Sequence, residues 1–290
     1  GSRWALRCNP SSGNLHPTEA YVLVGALTGL SDEAALWHYA PDDHALERRA
    51  RTHAELSEGV FLVGLASVFW REAWKYGERA FRYCQHDTGH AIAALAFAAR
   101  ALGWRTRRLD EAPDDLAEKL LGLGRHSEFH AEEPEHAECL LLVDARAEVV
   151  GVDPEIDFGS IAASLDFEGR PNVLSADHVQ WSIIDAVASA TRRSHTQSAS
   201  RHENVPQWDS AILGNHDCPL SLRAIAKQRR SAVAMDGESD LGVEAFYRML
   251  GRTIPESAPD LFTAFPGRPL VHLALFVHRV RGLRPGLYFL

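Results

Sequence analysis

The chain has no run approaching the roughly 18 consecutive apolar residues of a membrane span, and no stretch laid out like a secretory signal. Neither a membrane nor an export route is expected. It has little cysteine. Cys8, Cys84, Cys139 and Cys218 lie far apart and form no C-x-x-C pair, which excludes a disulfide scaffold and fits free thiols in a reducing cytoplasm. It has no basic surplus either: a net charge of −9 and a pI near 5.9 deny nucleic acid the cationic face its phosphates require. An initiator methionine is also missing, for the chain opens Gly1-Ser2-Arg3 and stops at Leu290 inside a strand-like run. That reads as a fragment of a longer protein, or as a chain carrying a tag. Histidine is plentiful, at 15 residues. Yet neither His126, His130 and His136 nor Cys84, His86 and His90 follow the spacing of a known metal motif, so no metal is expected.

What is present is an ordinary globular composition, 46% hydrophobic and 24% charged over 290 residues, enough for one large domain or two smaller ones. The stretch Arg7-Cys8-Asn9-Pro10-Ser11-Ser12-Gly13-Asn14-Leu15-His16-Pro17 runs into the apolar Ala20-Tyr21-Val22-Leu23-Val24. Its two prolines, glycine, hydroxyls and amide describe a polar loop at the end of a buried strand, a usual place for ligand contacts. Taken alone it reads as a well-formed turn. Trp37 to His44 reads as a short edge strand and turn, residues 45 to 58 as helix-compatible, and Gly59 to Ala66 as a central strand covered on both faces. Apolar spacing from about Gly77 to Leu102 predicts a long buried helix stopped by Gly103, and Pro113 starts a shorter one through Leu121. Ala137 to Asp144 is a third buried strand. Alternating segments of this kind indicate a layered α/β or α+β sheet domain.

A helix over Ala176 to Ala190 is followed by the polar, aperiodic stretch Thr191 to His202, which reads as a linker. A second unit then begins. Ser221 caps a helix that delivers Arg229-Arg230-Ser231 at its end, Val243 to Leu250 is another helix, and Leu270 to Val277 is a strand. The order strand, Thr28-Gly29-Leu30, Leu36-Trp37-His38-Tyr39 recurs as strand, Arg281-Gly282-Leu283, Leu287-Tyr288-Phe289-Leu290, the register of two copies of one module. In that register Pro10 to Asn14 falls opposite Thr263-Ala264-Phe265-Pro266-Gly267, which has lost the hydroxyls and the amide.

Arg7-x-x-Pro10-Ser11-Ser12-Gly13-x-Leu15-x-Pro17-x-Glu19-x-Tyr21-Val22, then Tyr39-x-Pro41-x-x-His44, then Trp74-Lys75-Tyr76-Gly77-Glu78-Arg79 running into Asp87-Thr88-Gly89-His90, resembles the nitroreductase superfamily of FMN enzymes, in particular its SagB-type dehydrogenase branch. Gln228-Arg229-Arg230-Ser231 resembles the Arg-Arg-Ser helix of that family. The resemblance implies an α+β nitroreductase-like fold, a mixed sheet flanked by helices. It implies a first module over residues 1–155 lacking its N-terminal helix, a helix and polar linker over 156–205, and the N-terminal part of a second module over 206–290. Paired intramolecularly, the two would form a pseudo-dimer with FMN between them.

In that reading Arg7, Pro10, Ser11, Ser12 and Asn14 contact the flavin from one module, and Arg229, Arg230 and Ser231 take its phosphate from the other. Where the family commonly places a further basic residue two after the serine, Val233 stands instead. By themselves Arg229 and Arg230 read as solvated cations at a helix C-terminus. The pair Lys75 and Tyr76 matches the catalytic pair of the azoline oxidases in this branch. Lysine is a competent base where burial or a neighbouring cation lowers its pKa from about 10.4, and Arg71 and Arg79 flank it. The expected activity is hydride transfer between bound FMN and a small-molecule or peptide-derived substrate, with azoline-to-azole dehydrogenation preferred. A NAD(P)H-dependent nitro or quinone reductase and a catalytically degenerate flavin-binding partner protein are the alternatives.

Overall fold

The computed structural model describes residues 7–125, 131, 133–146, 156–194, 219–255, 262, 264–265 and 270–290. His126, His130, Cys218, the linker beyond residue 194, and Thr263, Pro266 and Gly267 of the second loop lie outside the described residues. Two compact units emerge: Gly1–Ala199 with Thr263–Phe265, and Ser200–Phe262 with Pro266–Leu290. No helix among the described residues is long and apolar enough to cross a membrane.

The first unit is built on a seven-stranded sheet. Its strands are β1 (Thr18–Val24), β2 (Ala35–Ala40), β3 (Ala45–Arg51), β4 (Val60–Val68), β5 (Arg105–Arg108), β6 (Glu135–Asp144) and β7 (Asp166–Phe167), in the order β5-β6-β4-β1-β2-β3-β7. The sequence reading expects a mixed sheet; here every paired neighbour is antiparallel. A connection over residues 25–34 and a turn over 41–44 join β1, β2 and β3 as a meander, and β4 returns along the free side of β1, a connectivity that yields antiparallel pairs. The apolar run of β4 sits between β1 and β6 and is buried along almost its whole length.

Two expectations are corrected. Residues 45–51, read as helix-compatible, form β3, because the ladder to β2 and the burial of Ala50 outweigh the helical propensity of Ala, Leu, Glu and Arg. For the same reason β2 is an interior strand with neighbours on both sides, not an edge.

Helices cover both faces. Alternate residues Val60, Leu62 and Ala66 of β4 join a core with Leu120 and Leu121 of α3 (Asp114–Leu121) and Ile161 of α4 (Phe158–Ser164). Gly64 belongs to this face: a side chain there would run into Leu121. The opposite face carries the long helix α2 (Ala80–Ala101), whose Ala91, Ala94 and Leu95 share a groove with Leu65. A short helix α1 (Trp70–Tyr76) and a 3-10 turn (Gly77–Arg79) precede α2. α5 (Ser182–Ala190) inserts Ile184 into a cluster with Phe69, Ala73, Ala80 and Cys84.

In the second unit the Ser221 hydroxyl accepts from the Ala224 N–H at 3.2 Å and caps α6 (Leu222–Gln228). β8 (Leu241–Gly242) pairs in parallel with β10 (Val280–Arg281), and β9 (Ala274–Val277) pairs antiparallel with β11 (Gly286–Phe289). α7 (Val243–Gly251) contributes Phe246 and Leu250 to an apolar cavity of about 230 Å³ with Leu275 and Tyr288.

Candidate active site

The loop that opens the first unit folds into a 3-10 turn over Ser12–Asn14 with an unusual backbone. Gly13, Asn14 and His16 have φ of 58°, 61° and 51°. Asparagine tolerates that region, histidine rarely visits it, and such strain persists only where surrounding bonds over-determine the path. Those bonds come from α2 and α1. Asp87, 1% exposed in α2, accepts from the Ser11 hydroxyl, from the Ser12 N–H at 2.9 Å and from the Ser12 hydroxyl at 3.0 Å. The Ser11 oxygen in turn accepts from the His16 N–H at 2.8 Å, and Arg71 of α1 donates to the His16 carbonyl at 3.1 Å.

Arg71 is fixed from behind by an ion pair with Glu19, whose carboxylate also meets His38 Nε2 at 2.7 Å. Burial opposes ionisation of Glu19, yet His38 and Arg71 together hold its pKa below the ordinary carboxylate value. His38, bonded also to Glu47 at 3.1 Å, is desolvated, but its carboxylate partners raise its pKa overall. Arg71 is therefore committed to Glu19 and the loop.

Lys75 and Tyr76 end α1 directly above this loop. Gly77 follows with φ 58° and ψ −137°, a conformation that excludes side chains, so the helix stops and Tyr76 is left at its tip. A Cβ on Gly13 would lie 2.8 Å from the Lys75 Nζ and would collide with the Tyr76 hydroxyl. The amine and the phenol thus occupy the space where a side chain at position 13 would stand. Lys75 is exposed rather than buried. Its Nζ lies 5.3 Å from the Tyr76 ring centre, Arg79 lies 5.9 Å from the same ring, and Tyr83 packs edge-on at 4.7 Å. Two cations therefore flank one phenol. Of the two arginines expected to assist Lys75, Arg79 shares its aromatic partner and Arg71 does not.

Gly13 and Asn14 form the exposed edge of the loop. The Asn14 Oδ1 is engaged by His16 Nε2 at 3.1 Å, which leaves the Asn14 amide N–H donors for another partner. With the Lys75 amine and the Tyr76 hydroxyl they make a donor-rich rim, and that donor set fits the acceptor-lined edge of a flavin ring. Ser11 and Ser12, expected to bond the cofactor, have their hydroxyl protons directed to Asp87. Pro10 is exposed beside them, and Arg7, half-buried, lines a polar cavity of about 430 Å³ with His16, Glu19 and Arg71. Arg229, Arg230 and Ser231 belong to the second unit, exposed at the end of α6. There Arg230 donates to the carbonyls of Lys227 at 2.8 Å and Arg229 at 2.7 Å, capping helix carbonyls.

Residue-by-residue reading of the sequence assigned no role to Asp87, Glu19 or Glu72, another buried carboxylate, on α1. The available signal was an acidic side chain within an otherwise apolar helical or strand pattern, which demands a partner.

Residues 3–148, half of the chain, match the profile of the Nitroreductase family. Over 131 residues the chain is 31% identical to the trifolitoxin-processing protein TfxB of Rhizobium leguminosarum bv. trifolii, covering 39% of this chain and 35% of that protein. Over 124 residues it is 25% identical to a nitroreductase-like protein, MJ1384, of Methanocaldococcus jannaschii, covering 39% of this chain and 62% of that one. The chain thus spans between about a third and three fifths of these curated relatives. A crystal structure of a nitroreductase-like protein from Anabaena variabilis superposes with a TM-score of 0.62 at 20% identity, over 98% of this chain and 60% of that one, a likeness of fold.

Proposed function

Because this chain belongs to the nitroreductase family, whose members are flavin-dependent oxidoreductases, we propose that it is an FMN-dependent oxidoreductase acting on a small, peptide-derived substrate, with azoline-to-azole dehydrogenation preferred. The observation that carries the reading is the seating of Lys75 Nζ and Tyr76 Oη on Gly13, which joins two motifs 62 positions apart at one donor-rich edge. The name of a relative, a trifolitoxin-processing protein, supports a substrate made from a peptide.

Bound FMN would supply the hydride acceptor. The chain's own contribution is to hold the ring edge against Gly13 and Asn14, to orient the substrate through the Tyr76 hydroxyl, and to take the substrate's C–H proton at Lys75 Nζ. Asp87 and Arg71 keep the loop rigid while this happens, which preserves alignment without moving a proton. The domain reading belongs to the same proposal. The second unit would be a partial repeat of the first, and its Arg229, Arg230 and Ser231 would bind an FMN phosphate. Gly29 and Gly282, with φ of 89° and 91°, both stand in turns ahead of antiparallel strands, and that likeness supports it.

The test is the visible spectrum of the purified chain, identification of the released cofactor, and Lys75→Ala. The variant is expected to retain FMN and lose dehydrogenation of an azoline peptide by about 10²–10⁴-fold. Unchanged turnover would remove the role given to Lys75. A second reading, a flavin-binding partner without catalysis, is favoured by the exposure of Lys75 and the commitment of both serine hydroxyls to Asp87. FMN bound with no turnover by the unsubstituted chain would select it.

A further inference from the structure

Behind the Lys75–Tyr76 pair lies a carboxyl group that the proposed reaction leaves unused. Glu72 stands on α1, one turn ahead of Lys75, and is 0% exposed. Neither of its oxygens has a hydrogen-bond partner among the described residues. The groups that act on it are Asp87 across from it on α2 and Lys75 on its own helix. Cys84 of α2 also feels its charge, and the loop residues that bond Asp87, Ser11 and Ser12, carry no charge.

Two buried carboxyl groups whose charges act on one another ionise together only with difficulty at neutral pH. The donors decide which one does. Asp87 accepts three hydrogen bonds, whereas neither oxygen of Glu72 is bonded among the described residues. Glu72 is therefore the group whose ionisation is resisted by burial and by the charge of its neighbour.

We propose that Glu72 is a positioning residue that acts through Lys75, its buried carboxyl setting the charge one helical turn behind the amine, so that once ionised it holds in place the proton that Lys75 has taken. The inference rests on the reading of Lys75 as the base. It accounts for an otherwise costly buried acid, because residues at i and i+3 on a helix are neighbours, about 5–6 Å apart at Cβ. The environment agrees with the geometry. Burial first, then Asp87, raise the Glu72 pKa to about 7, with Lys75 acting in the opposite direction.

The chain holds only three lysines, Lys75, Lys119 and Lys227. Reductive methylation of the full chain with ¹³C-formaldehyde therefore gives three lysine resonances beside that of the α-amino terminus, with Lys75 assigned by its loss in Lys75→Arg. The Lys75 resonance is expected to show an inflection near pH 7, where Glu72 ionises. That inflection should vanish in Glu72→Gln while Lys119 and Lys227 titrate alike in both proteins. A Lys75 resonance without the inflection in the unsubstituted chain, which needs no variant to fold, overturns the proposal. So does an inflection that persists in Glu72→Gln. Because the readout requires neither flavin nor turnover, a missing coupling sinks the role of Glu72 alone, whereas full turnover by Lys75→Ala sinks the function reading on which it stands.

Discussion

At the scale of single residues, Asp87 is the side chain on which the candidate site depends. A buried carboxylate with three donors converts two serines of a strained loop into fixed points. Asparagine has nearly the same shape but only one acceptor oxygen, so Asp87→Asn leaves part of this donor set unmatched and turns an amide N–H toward it. Asp87→Asn is expected to cost about 2 kcal/mol, read as a lowered urea midpoint at unchanged slope. It should also loosen the loop, seen as faster amide exchange at Gly13 to His16. An unchanged midpoint would mean that the loop is held without Asp87. The sequence showed Asp87 only as part of a motif, because its role is set by side chains 75 and 76 positions away.

At the scale of elements, the break between α1 and α2 decides where Lys75 and Tyr76 stand. Apolar spacing predicts one helix from about Gly77, and α2 does run to Ala101 with Gly103 at φ 77° behind it. What the period does not reveal is that Gly77 itself is the hinge, with the Trp181 ring within 3.0 Å of where its Cβ would be. Gly77→Ala is expected to cost about 1–3 kcal/mol for the backbone conformation alone. The added methyl would also push against Trp181, and tryptophan fluorescence should report the displacement alongside a lowered thermal midpoint. A variant as stable as the parent would show that the hinge relaxes freely. The misread β3 belongs to the same scale. Ala45–Arg51 carries good helix formers, and only its pairing with β2 makes it a strand.

At the scale of the whole molecule, acid stability should follow the carboxylates that end or cross the sheet. Asp144, at the end of β6, is held mainly by the Arg146 side chain at 2.9 Å and further by Arg105 at 2.7 Å, and its pKa falls to about 2. A depressed carboxylate pKa contributes stability that is present above the unfolded value, near 3.8, and is lost as pH falls through about 2. The contribution is about 2 kcal/mol at neutral pH. Asp144→Asn should flatten the fall in first-unit stability between those two pH values, followed by near-ultraviolet circular dichroism. Curves that keep the parent's slope would assign acid unfolding elsewhere, with Glu19, also depressed, the next group to test.

The sequence by itself determined what depends on neighbours along the chain. The buried run of β4, the period of α2, the proline start of α3, the Ser221 cap and the order of motifs that marks the family are all local patterns, set by propensity and by residue spacing. Tertiary structure alone decided what depends on distant partners. It turned residues 45–51 into a strand, paired the sheet antiparallel throughout, committed Ser11 and Ser12 to Asp87, and seated Lys75 and Tyr76 on Gly13. The reason is that ladder pairing, desolvation and the sharing of donors act between groups brought together by folding, and no spacing along one chain specifies which of several equally polar side chains will meet.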